Sequence, residues 1–125
     1  MRKTITAQGA PEAVGPYVHA VEAGGLLFCS GQISLDPNTG ELNGETAAEQ
    51  ARQCLENLKV VAAAGGTALN QAVRCTVYLA DMEDFAAVNE VYGEYFDDGF
   101  PARVCYAVAG LPKGAKVEID AVVAL

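Results

Sequence analysis

Two short runs near the C-terminus alternate their side chains with period two, and they constrain this chain more than any other feature. The first is Pro101-Ala102-Arg103-Val104-Cys105-Tyr106, and the second is Lys116-Val117-Glu118-Ile119-Asp120. Pro101 fixes its own φ and pushes Phe100 toward extended backbone, which suits the start of a strand. In a strand, alternate side chains point to opposite faces. Val104, Tyr106 and Val108 then form one face and Arg103, Cys105 and Ala107 the other. Val117, Ile119, Ala121 and Val123 likewise oppose Glu118, Asp120 and Val122. With the apolar faces packed on helices, Arg103, Cys105 and Glu118 all point away from the helices, toward some other cover. Charged side chains in such strands call for a partner or a task.

The rest of the chain supplies the scaffold. Residues 1–16 read as an irregular lead-in broken by Gly9, Pro11, Gly15 and Pro16. Tyr17 to Glu22 and Leu26 to Ser30 read as strands joined at Gly24-Gly25, a tight hairpin turn. Tyr17, His19 and Val21 share a face of the first. Thr46-Ala47-Ala48-Glu49 has the form of a capping box. Ala51, Cys54, Leu55, Leu58, Val61 and Ala62 follow at helical spacing, with Gly65-Gly66 as the stop. Gln71 to Leu79 is a strand with Val73, Cys75, Val77 and Leu79 on one face. After Asp81 to Asp84, a second amphipathic helix carries Phe85, Val88, Tyr92 and Phe96 on its buried stripe and ends at Asp97-Asp98-Gly99. The order β-β-α-β-α-β-β, without linker or repeat, predicts one α+β domain over 1–125. The expected architecture is a mixed sheet with both helices packed on one face.

A chain of 125 residues suits one domain, and 51% hydrophobic with 19% charged residues mildly favours oligomerisation. A net charge of −8 argues against nucleic acid held through phosphates and against anionic membranes. One arginine can still govern a pocket in an acidic protein. The cysteines, at 29, 54, 75 and 105, form no C-x-x-C pair, and His19 is the only histidine. That spacing argues against the common structural zinc sites and fits reduced thiols in the cytoplasm. Met1 to Tyr17 has no apolar h-region, and no run is long enough to span a bilayer.

By residue type, Arg103 offers a planar donor fork for a carboxylate, or else pairs with Glu118 or Asp120. Glu118 can hold or activate a water if burial raises its pKa, or can pair with Arg103. Cys105 as a nucleophile lacks a histidine or lysine activator. Tyr17 supplies a hydroxyl or a pocket wall, or is an ordinary strand aromatic. Gly31 admits a ligand close to the backbone, or belongs to a turn after the strand. Asn89 otherwise reads as a solvated helix position.

Gly15-Pro16-Tyr17, Ser30-Gly31-Gln32, Val88-Asn89-Glu90-Val91-Tyr92, and Pro101 to Tyr106 followed by Leu111 and Val117-Glu118-Ile119 resemble, in order, the motifs of the reactive intermediate deaminases. These are also called the RidA or YjgF-like family. The resemblance implies a chorismate-mutase-like fold and a homotrimer whose open sheet faces turn inward, with sites between subunits. It implies hydrolysis of 2-imino acids or their enamines to 2-keto acids and ammonia, without metal or organic cofactor. Arg103, Glu118 and Cys105 would be catalytic, Cys105 through its backbone groups. Tyr17, Ser30, Gly31, Asn89 and Arg103 would bind substrate. Relatives often carry glutamine where this chain has His19. Two other functions compete: a non-enzymatic keto-acid sensor or protein-protecting module, and nucleic-acid cleavage, which the acidic charge counts against.

Overall fold

Gly24 and Gly25 adopt φ of 61° and 78°, the double left-handed geometry of a two-residue hairpin turn. They join β2 (Ala20–Ala23) to β3 (Leu26–Gln32). The computed structural model describes residues 1–125. The other elements are β1 (Lys3–Ile5), α1 (Ala47–Ala64), β4 (Ala72–Leu79), α2 (Phe85–Gly93), β5 (Ala102–Ala107) and β6 (Val117–Ala124). The strands form one sheet in the order β1-β2-β3-β6-β4-β5, antiparallel except where β5 runs parallel to β4.

The α1 N-terminus is capped as expected. Thr46 Oγ1 accepts from the Glu49 N–H at 3.1 Å, and Glu49 accepts from the Thr46 N–H at 3.0 Å. The Glu49 carboxyl is held below its ordinary pKa by these backbone bonds. Cys54, Leu55, Leu58 and Val61 of α1 are fully buried with Val77, Leu79, Val117, Ile119 and Val123 of the sheet. Both helices cover this one face.

The structure departs from the sequence reading in its details. Residues 3–5 form a strand paired to β2, too short for periodicity to reveal. Tyr17 to His19 lie before β2 rather than in it. A bulge between Ala72 and Arg74 shifts the β4 register, so Val73 faces out while Cys75, Val77 and Leu79 stay buried. The second helix ends at Gly93, yet Phe96 remains in the core beyond it.

His19 explains how the lead-in is held. It is buried, and its Nδ1 accepts from the Ala7 N–H at 2.8 Å. Its Nε2 lies 2.7 Å from the Pro11 carbonyl, which can only accept, so the neutral ring carries its proton on Nε2. The histidine thus clamps residues 7–11 against the sheet and does not project into a site. Glutamine has the same pairing of one acceptor and one donor. His19→Ala should therefore lower stability by about 2 kcal/mol, the cost of leaving buried polar groups unpaired, while His19→Gln retains most of it. Thermal unfolding of the two variants checks this.

Candidate functional site

The sheet register decides which side chains can meet. Cys75 of β4 pairs with Arg103 and with Ala121, and Tyr78 pairs with Tyr106 and with Glu118. Positions 75 and 78 are an odd number of residues apart, so their side chains lie on opposite faces. Cys75 is in the core. Arg103 and Cys105 therefore point to the helix-covered side, and Val104, Tyr106, Glu118 and Asp120 to the open side. This corrects the expectation that Arg103, Cys105 and Glu118 share a face. It also corrects the assignment of Val104 and Tyr106 to the helix-packed side. The open face is itself apolar: Phe28, Val104 and Tyr106 are 45%, 37% and 46% exposed.

Arg103 consequently has no carboxylate partner in the chain. The ion pairs present are Arg52–Glu94 and Lys59–Glu56, both at the surface. An internal pair with Glu118 or Asp120 is thus excluded. Asp120 is engaged elsewhere, accepting from the Thr76 N–H at 3.1 Å and the Tyr78 hydroxyl at 2.9 Å. The Arg103 guanidinium donates to Asn89 Oδ1 at 2.7 Å. It opens on a cleft of about 330 Å³ lined by Asn89, Tyr92, Gly93, Phe100, Pro101 and Arg103. Asn89 is therefore an arginine-facing position of α2 and not a solvated one.

The Cys105 thiol is half-buried against the core, and burial raises its pKa while nearby Arg103 opposes the rise. Its backbone is better placed than its sulfur. The Val108 N–H donates to Leu79 O at 2.9 Å. Backbone groups alternate sides along a strand, so those of Arg103 and Cys105 point off the free edge of β5. The other thiols are ordinary core groups, with Cys75 pushed up to about 11, chiefly by burial.

Glu118 stands with Gly31 on the other side of the sheet. A register shift between Cys29 and Gln32 lets β3 pass close to β6. A Cβ at Gly31 would overlap the Glu118 carboxylate, so any side chain there would displace Glu118 from its present position. Burial first, and then the Asp120 charge, raise the Glu118 pKa above the ordinary carboxylate value. No hydrogen bond from within the chain reaches that carboxylate, although it is only half-buried. Ser30 adjoins Gly31 in sequence, with Oγ donating to Val18 O at 2.7 Å. Tyr17 is 46% exposed, and with Ser30, Gly15 and Pro16 it lines a groove of about 540 Å³.

The seven expected site residues thus divide in two. Arg103, Cys105 and Asn89 lie at the β5 edge and α2, whereas Tyr17, Ser30, Gly31 and Glu118 lie along β3, β6 and the loop before β2. Sequence reasoning passed over Phe85 and Tyr92 as site residues, because a helical apolar stripe reads as core. Both rings lie against the Arg103 guanidinium.

Comparison with known proteins identifies the family and the fold. The sequence profile described as endoribonuclease L-PSP matches residues 7–125. A RutC family protein of Sinorhizobium fredii is 54% identical over 100% of this chain and 99% of its own. A 2-iminobutanoate/2-iminopropanoate deaminase of Homo sapiens is 45% identical over 98% of this chain and 89% of its own. The crystal structure of Escherichia coli TdcF with bound serine superposes with a TM-score of 0.93 at 43% identity, covering 98% of each chain. The six-stranded mixed sheet with its two helices is a chorismate-mutase-like fold. With matching motifs, near-complete coverage and one shared fold, the chain belongs to the reactive intermediate deaminase (RidA/YjgF-like) family, whose profile carries the endoribonuclease L-PSP description.

Proposed function

We propose that the protein hydrolyses reactive 2-imino acids, or their enamine tautomers, such as 2-iminopropanoate and 2-iminobutanoate. The products are 2-keto acids and ammonia. The observation that carries the reading is an arginine presented to a cleft without any carboxylate partner in its own chain. Its donor fork matches a substrate carboxylate. The second support is a half-buried carboxylate with a raised pKa and no internal hydrogen bond, suited to holding a water.

Because these two groups occupy opposite faces of one sheet, a complete site requires two copies of the chain. The exposed apolar residues of the open face and the free β5 edge favour such assembly. We propose the homotrimer of the family resemblance, with sites between subunits. Arg103 of one copy then binds the carboxylate, and the Cys105 backbone orients the imine. Water held by Glu118 of a neighbouring copy adds to the imine carbon, and one of its protons passes through the carboxylate to nitrogen, giving a carbinolamine. The remaining hydroxyl proton follows by the same carboxylate as the C–N bond breaks, and ammonia leaves while the oxygen remains as the keto group. Tyr17 and Ser30 line the same space, and Gly31 lets Glu118 and substrate approach the backbone. Positioning with modest acid–base help suffices for a reaction already quick in water. The four free thiols fit a reducing cytoplasm.

The test generates 2-iminopropanoate from alanine with an amino-acid oxidase and lets semicarbazide compete for it. The protein should suppress semicarbazone formation. Semicarbazone unchanged across several imino acids, together with calorimetric binding of 2-oxobutanoate, would favour a keto-acid sensor instead. A ribonuclease reading gains nothing from a chain of net charge −8.

A further inference from the structure

We propose that Phe85 and Tyr92 are positioning residues whose rings, with Asn89, hold the Arg103 guanidinium oriented before any ligand arrives. The inference rests on the deaminase reading for its catalytic consequence, but the ordering itself does not. Phe85, Asn89 and Tyr92 stand at i, i+4 and i+7 of α2 and so share one helix face. Arg103 Cζ lies 4.9 Å from the Tyr92 ring centroid and 5.6 Å from that of Phe85. Asn89 Oδ1 takes one N–H at 2.7 Å. A guanidinium has weakly hydrated faces and five donors at its rim. The two rings lie against the guanidinium, Asn89 takes one donor, and four donors remain for a ligand.

An unsupported arginine side chain is flexible, and the freedom it loses on binding weakens affinity. Arg103 is exposed and has no ion pair in its own chain, and the side chains that meet it there, Phe85, Asn89 and Tyr92, all come from α2. Core packing accounts for Tyr92 in part, since it is 4% exposed, but its ring is also what Arg103 meets. Phe85 is the more telling residue. It is only half-buried at the first turn of α2, with its ring beside the arginine.

The experiment compares Phe85→Leu with Phe85→Tyr. Phe85→Leu should raise both the KM for 2-iminobutanoate and the Kd for 2-oxobutanoate by about three- to tenfold, as expected for loss of a cation–π contact, with kcat nearly unchanged. Phe85→Tyr should restore the wild-type values. In an Arg103→Ala background, Phe85→Leu should add nothing further. Nitrogen relaxation of Arg103 Nε reads the ordering without substrate: its order parameter should fall in Phe85→Leu and be kept in Phe85→Tyr. An unchanged order parameter, a fall in kcat alone, or a full additional loss in the Arg103→Ala background overturns the proposal. Ordering lost in Phe85→Leu, in a protein that turns over no imino acid, would uphold the positioning and remove the deaminase reading.

Discussion

Arg103→Ala is expected to lower kcat/KM for 2-imino acids by about 100- to 1000-fold, the loss of two charge-assisted hydrogen bonds at roughly 1.5–2 kcal/mol each. Arg103→Lys keeps the charge but loses the fork and should recover only part of that loss. Stability should fall by no more than about 1 kcal/mol, because Arg103 is exposed and forms no ion pair in its chain, only the Asn89 bond and the ring contacts. This separates a ligand-binding arginine from a structural one, whose removal would strand a buried acid. Calorimetry with 2-oxobutanoate should show the same loss, since the keto acid presents the same carboxylate. Turnover and affinity unchanged in Arg103→Ala would remove Arg103 from the site.

The second large effect belongs to Glu118→Gln. The side chain keeps its size but cannot take a proton from water, so kcat should fall about 100-fold, within the range for general acid–base groups. Affinity for 2-oxobutanoate should change little. The pH dependence follows from the direction of the shift. Burial and the Asp120 charge raise the Glu118 pKa, so its carboxyl picks up a proton at a higher pH than an ordinary carboxyl does. As pH falls through that raised pKa the base is lost, and kcat/KM should drop on the acid side above the ordinary carboxylate range. The acid limb should vanish in Glu118→Gln. Stability has the opposite sense: a carboxyl whose pKa is raised on folding favours the folded state most below its unfolded pKa, and that contribution is lost as pH rises through the folded pKa. Glu118→Gln should thus be no less stable than wild type near neutral pH. A variant that unfolds earlier, or loses binding along with turnover, would point to a packing role.

The helices and most strands were legible because their signals are local. The Thr46–Glu49 capping box, the α1 stripe and the Gly24–Gly25 turn each name their structure within a few residues. The face assignment was not legible. Val104 and Tyr106 are bulkier and more apolar than Arg103 and Cys105, so alternation alone puts them toward the helices. The register does the reverse: it sets Cys105 beside Val77 on the core side and Tyr106 beside Tyr78 on the open side. Both faces of β5 carry apolar groups, and period two cannot say which cover comes from the same chain. The division of the site follows from that register. His19 was similarly opaque, since its partners are the backbone groups of Ala7 and Pro11, which carry no side-chain signature. Phe85 and Tyr92 were visible as a stripe, but the arginine they support comes from a strand beyond the end of their helix.

The most direct test of the central claim, that each chain carries two half-sites completed only by another copy, is complementation. Arg103→Ala and Glu118→Gln chains, each nearly inactive, are unfolded, mixed in equal amounts and refolded together. Random assembly into a closed ring joins an intact Arg103 to an intact Glu118 at about a quarter of the interfaces. The mixture should therefore recover about a quarter of wild-type imine hydrolysis. Activity no higher than the mean of the two parents, in refolded mixed assemblies, would contradict the composite site.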